Sequence, residues 1–119
     1  PNSVVYIGSF AFFDCDAITD ITIPNGVVSI EDGAFKFCDN LVSITIPDSV
    51  INIGNQAFSY CNELTNVYLK SKTPPNIGSN PFAHANVYHR IRLHVPLQSV
   101  EKYRVNSEWN DYQIYAYDF

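Results

Sequence analysis

With 119 residues, 46% apolar and 14% aromatic, the chain holds enough apolar material for one packed domain, which excludes a disordered polypeptide. Asp, Asn, Ser or Pro interrupts every hydrophobic stretch, so no run approaches the roughly 18 apolar residues that mark a membrane-spanning helix. The net charge of −5 is uneven: residues 1–69 carry eight acids against the single base Lys36, and residues 70–119 carry six bases and four acids, giving −7 and +2. That balance excludes electrostatic capture of nucleic acid, whose phosphates require clustered Lys and Arg.

From the first residue the chain repeats itself. A shift of 23 residues lays Pro1 to Ile23 over Pro24 to Ile46 and over Pro47 to Leu69 without a gap. Apolar, small or turn-forming residues fill the columns, among them Val4, Val27, Val50; Ile7, Ile30, Ile53; Phe12, Phe35, Phe58; and Cys15, Cys38, Cys61. A unit this short cannot bury its own apolar face, so the columns imply stacked units whose side chains form rungs. Within each unit, stretches such as Val42-Ser43-Ile44-Thr45-Ile46 alternate polar and apolar residues and are rich in β-branched types, which predicts one short parallel strand per unit. Proline then ends the strand, a second short extended piece follows at Val27 to Ile30 and its counterparts, and Asp32 to Cys38 is expected to form a brief helical turn.

Beyond Leu69 the period decays. Ile77-Gly78 and Phe82 keep the mutual spacing of Ile53-Gly54 and Phe58, so a fourth, degenerate unit is expected over 70–96. Its strand is placed at Arg92 to Val95, three residues late through an insertion around His84 to Arg90. Residues 97–119 break phase: Ser99 to Val105 has helical spacing, Trp109 follows, and Tyr112 to Tyr117 alternates as a final strand. This segment is expected to cap the exposed end of the stack. Nothing caps residue 1, so the chain is expected to be a piece of a longer array, and its open edge at residues 1–23 to pair with another copy. No secretory signal stands at the start; a targeting segment is expected to have been removed or to lie upstream.

Chemical sites are sparse. Three cysteines at the repeat period form a stacked column of small buried hydrophobes rather than a metal or disulfide cluster. His84, His89 and His94, five residues apart, fit neither one helix face nor one strand face, so metal binding is not expected. Asp14, Asp16 and Asp20 suggest a carboxylate pair or Ca²⁺ ligands, but other units replace them with Phe37, Asp39, Ser43 or Tyr60, Asn62, Asn66, which favours solvated turns. No Ser-His-Asp, Cys-His or metal spacing emerges, so no catalysis and no cofactor are expected. The polar strand positions remain. If Ile21 and Ile23 point inward, one outer row is Asp20, Ser43, Asn66, Arg92 and the next Thr22, Thr45, Tyr68, His94. Candidate binding residues are therefore Asn66, Tyr68, Arg92 and His94, with Lys70 and Tyr88 beside them.

The stretch Ile30-Glu31-Asp32-Gly33-Ala34-Phe35-Lys36-Phe37-Cys38-Asp39-Asn40-Leu41-Val42-Ser43-Ile44-Thr45-Ile46-Pro47 resembles the BspA-like, or Treponema-type, leucine-rich repeat, and the likeness covers residues 1–69. The first unit departs from it, with Ser9-Phe10 in place of Asp32-Gly33. Thr73-Pro74-Pro75, Ile77-Gly78, Phe82 and Val95-Pro96 through Trp109 resemble a terminal module of such proteins from Bacteroides-like bacteria. The resemblance implies an α/β, right-handed leucine-rich-repeat solenoid with short parallel strands, short helical turns and a C-terminal cap. It further implies a secreted or cell-surface bacterial protein engaged in adhesion, binding extracellular protein or glycan, with no catalytic residues to carry over. The alternative is a spacer that displays a neighbouring domain and binds nothing itself.

Overall fold

The computed structural model describes residues 3–85 and 91–119. Each unit forms one coil of a solenoid, and strands of successive coils pair in parallel. One sheet has the order β1 (Tyr6–Ile7), β3 (Ser29–Ile30), β5 (Asn52–Ile53), β7 (Asn76–Ile77). The other has the order β2 (Asp20–Thr22), β4 (Ser43–Ile46), β6 (Asn66–Leu69), β8 (Arg92–Pro96), β9 (Gln113–Tyr117). The inward columns, such as Ile44, Val67 and Leu93, are fully buried between the sheets.

Register locates the inserted residues. Ser29 pairs with Asn52 at the 23-residue period, but Asn52 pairs with Asn76 and Asn66 with Arg92. One of the three extra residues therefore enters between Leu69 and Asn76, and only two fall in the later insertion. The strand expected at Arg92 to Val95 is β8, which runs one residue further, through Pro96.

The segment expected to be a helical turn is not helical, and the reason is the stack. Around Gly33, alternate N–H groups bond within the turn (Ala34 to Glu31, Lys36 to Gly33, Cys38 to Phe35) and across to the next coil (Gly33 to Asn55, Phe35 to Ala57, Phe37 to Ser59). A helix would direct every N–H along its own axis and leave none for the neighbouring coil. The alternation requires two left-handed residues per coil, four apart: Phe10 and Asp14, Gly33 and Phe37, Gln56 and Tyr60, Asn80 and His84. Only one of these eight is glycine. The others cost roughly 1 kcal/mol each, offset by bonds repeated from coil to coil.

Two further devices lock the coils together. Phe12, Phe35, Phe58 and Phe82 stack in a continuous ladder, with centroids 5.1, 5.3 and 5.3 Å apart. Beside it, Asp32 Oδ1 accepts the Asn55 N–H at 2.7 Å, and Asn55 Oδ1 accepts the Ser79 N–H at 2.6 Å. These side chains occupy the space a Cβ would need at Gly54, where it would lie 2.6 Å from Asp32 Oδ1, and at Gly78, where it would run into Asn55 Oδ1. In the second coil Glu31 takes the glycine position, and the residue beneath it is Ser9 instead of an Asx.

At the far end a single 3₁₀ turn over Leu97–Ser99 leads into α1 (Val100–Val105). Tyr103 and Trp109 are completely buried there, and their polar tips find carbonyls of the 70–76 loop. The Tyr103 hydroxyl donates to Ser71 O at 2.7 Å and the Trp109 indole N–H to Pro75 O at 2.8 Å. The terminal segment therefore covers the end of the stack and also supplies its last strand, β9.

Candidate functional site

Alternation along the five-stranded sheet sends Ile44, Ile46, Val67, Leu69, Leu93 and Val95 inward and leaves their neighbours on the outer face. Pairing sets the outer rows as Asp20, Ser43, Asn66, Arg92, Gln113 and as Thr22, Thr45, Tyr68, His94, Tyr115. The registers thus bring Asn66, Tyr68, Arg92 and His94 together. Lys70 follows Tyr68 by two residues, its N–H bonding to Ile46 O at 3.0 Å, and lies exposed at the edge of the same face. Tyr88 falls outside the described residues.

The rows form an aromatic cluster. The imidazole of His94 stacks on Tyr68 with centroids 4.5 Å apart and on Tyr115 at 5.7 Å, and its Nε2 lies 2.9 Å from Asn66 Oδ1. Tyr117 stands nearly perpendicular beside the pair, 5.2 Å from Tyr68 and 5.8 Å from His94, and Phe119 lies 4.6 Å from Tyr117. Burial, and secondarily the nearby Arg92 cation, push the His94 pKa below the ordinary imidazole value, which keeps the ring neutral at neutral pH. Arg92 is exposed and, among the described residues, forms no ion pair. Tyr115, Tyr117 and Phe119, each more than 40% exposed, were not among the sequence candidates. The alternation of residues 112–117 signals a strand, but only its pairing with β8 carries these rings to Tyr68 and His94.

The remaining candidates separate in space. His84 stacks on Tyr60 at 4.8 Å in the turn column headed by Phe37, away from His94 on the strand face; His89 lies outside the described residues. The cysteines are free, and the Cys38 and Cys61 thiols bond the Phe12 and Phe35 carbonyls at 3.1 Å. A hydrogen bond to Cys38 and burial hold the Cys61 thiol far above the ordinary range, so it supplies no thiolate. Asp20 accepts a hydrogen bond from the Ser43 hydroxyl, and Asp14 is an exposed turn residue with φ of 58°. Among the described residues no group of three or more His, Cys, Asp or Glu is placed to hold a metal ion.

Two shallow clefts flank Lys70. One, of about 280 Å³, is lined by Lys72, Pro96, Tyr117 and Phe119 together with Asp48 and Asp118; the other, of about 270 Å³, by Thr45, Pro47 and Pro24. A third cleft of about 470 Å³ lies at the proline loop, where Ser71, Lys72 and Asp48 line it without a histidine. No helix of the described residues is long and apolar enough to cross a membrane.

No curated protein matches the chain significantly. A family model does: the BspA type leucine rich repeat region matches in six copies over residues 1–108, past the four strand-bearing coils and into the terminal segment. The repeats, the parallel solenoid and this match over most of the length agree, and the chain belongs to the BspA-type leucine-rich repeat family, whose solenoid is typically a binding or structural module and not a catalytic one.

Proposed function

We propose that this chain is a non-catalytic binding module of a bacterial secreted or cell-surface protein, and that it recognises a protein partner through the outer face of the five-stranded sheet. The observation that carries this reading is the Tyr68, His94, Tyr115 and Tyr117 cluster with Arg92 and Lys70 at its margins, since Tyr and Arg dominate the energetics of protein interfaces. Protein is favoured over glycan because Tyr68, His94 and Tyr115 turn their ring faces toward one another. A sugar stacks on an open ring face, and in this ladder both faces of His94 and one face each of Tyr68 and Tyr115 are taken up by neighbouring rings. Family membership supports the location, as BspA-type repeats are commonly surface or secreted.

An array of extracellular proteins and glycans probed with the chain and with its Tyr68→Ala and Arg92→Ala variants tests the reading. Binding weakened by both changes is expected; binding indifferent to both removes the proposed face, and a chain that binds nothing on the array is a spacer.

A further inference from the structure

The outer face is arranged with charge at its two ends and aromatic rings between them. Arg92 occupies the first row, with neutral Asn66 and Gln113 as its strand neighbours; Tyr68 and His94 occupy the second; Lys70 lies two residues further along. At about 6.8 Å per residue pair along a strand and 4.8 Å between strands, the Arg92 and Lys70 backbones stand about 14 Å apart on the diagonal. Four residues of extended chain span that distance. The acids of the same face are remote or balanced: Asp20 lies at the other end of its row, held by Ser43, and Asp48 and Asp118 share a cleft with Lys70 and Lys72.

We infer that the partner segment is an extended, acidic stretch of protein with two carboxylates four residues apart, one meeting Arg92 and the other Lys70, and apolar or aromatic residues between them packing against Tyr68, His94 and Tyr117. This rests on the strand face being the binding surface. Two features support it beyond charge. The rings already pack against one another, so little side-chain entropy is lost when a partner docks on them. The guanidinium is exposed and, among the described residues, meets no intramolecular carboxylate, so an incoming one has no competitor there to displace. Because two acids share a cleft with Lys70, whereas the one acid in the row of Arg92, Asp20, lies three strands away and is held by Ser43, Arg92 contributes more than Lys70.

A displayed library of random twelve-residue peptides, selected on the chain at 50 mM NaCl and sequenced, is the test. Enrichment of Asp or Glu at positions i and i+4 around apolar residues is expected. The selected peptides, resynthesised, should bind Arg92→Ala at least about tenfold more weakly and Lys70→Ala a few-fold more weakly, and lose affinity as NaCl rises to 500 mM. Arg92→Lys should retain part of the binding, and unchanged circular dichroism confirms that each variant folds. Neutral or basic peptides that need Tyr68 but not Arg92 overturn the acidic partner and leave the strand face standing. Peptides indifferent to Tyr68→Ala and Arg92→Ala overturn both. If no peptide is enriched while a carboxylated oligosaccharide binds through Arg92, the partner is an anionic glycan and the inference falls.

Discussion

Gly54→Ala and Gly8→Ala add the same methyl group at equivalent repeat positions, yet their surroundings differ. At Gly54 the new Cβ would lie 2.6 Å from Asp32 N, from Asp32 Oδ1 and from the Glu31 carbonyl carbon; at Gly8 nothing lies within 4 Å. Two of the three Gly54 neighbours are backbone atoms of the coil below, so no side-chain rotation relieves the contact. The coils must separate locally by several tenths of an ångström. That weakens the Gly54 N–H bond to Ile30 O, now 2.7 Å, and the Asn55 N–H bond to Asp32 Oδ1, also 2.7 Å. Overpacking of this kind costs about 1–3 kcal/mol, and an exposed hydrogen bond about 1 kcal/mol, for a total near 2–3 kcal/mol. For a domain of this length that lowers Tm by about 10 °C. Gly8→Ala should stay within about 0.5 kcal/mol of the parent, or gain slightly from a stiffer unfolded chain. Urea unfolding followed by circular dichroism measures both. Equal shifts for the two variants would refute the assignment of the glycine column to inter-coil contact.

The phenylalanine ladder makes a comparable contrast. Phe58 is completely buried between two stacked rings, whereas Phe12 is half-buried at the end of the ladder with one, so Phe58→Ala should cost about 3–5 kcal/mol in urea unfolding and Phe12→Ala clearly less. His94 supplies a pH dependence. Its folded pKa is depressed by burial and then by Arg92, so the unfolded chain takes up the proton first as pH falls. The stabilising contribution is complete above the unfolded imidazole value of about 6.5 and declines as pH drops below it toward the folded pKa. The difference in urea midpoint between pH 7.5 and pH 5.5 should therefore be smaller in His94→Gln than in the parent, and an unchanged difference refutes the assignment.

Periodicity made the fold legible because stacking forces identical environments on equivalent residues. The columns Ile30 and Ile53, Ala34 and Ala57, and Phe35 and Phe58 are buried almost completely, as a repeat-by-repeat core demands. The turn conformation was not legible. Of the paired turn positions Gly33 is the one glycine, while Phe10, Phe37, Gln56 and Tyr60 adopt a left-handed conformation without glycine, since the inter-coil hydrogen bonds outweigh local preference. The sequence does carry the inter-coil pairing: Asp32 and Asn55 are each followed 22 or 23 residues later by glycine, and Ser9 by Glu31.

The outer face shows why the proposed recognition surface is harder to read than the core. Asn66, Tyr68, Arg92 and His94 could be grouped because each lies in a strand whose inward residues fix its phase. Tyr115 and Tyr117 could not, because residues 97–119 share no period with the coils, and the strand at 113–117 belongs to a terminal segment held to the stack by its pairing with β8 and by the Tyr103 and Trp109 bonds to the loop at Ser71 and Pro75. The departures from the repeat that delay β8 by three residues also place Arg92 and His94 where the first two coils carry Asp20, Ser43, Thr22 and Thr45. Successive coils thus keep the same interior while the outer rows change from acidic and hydroxylic to aromatic and basic. A partner that reads this face meets its distinctive chemistry where the period fails, and lengthening the array by further regular coils should change its stability much more than its choice of ligand.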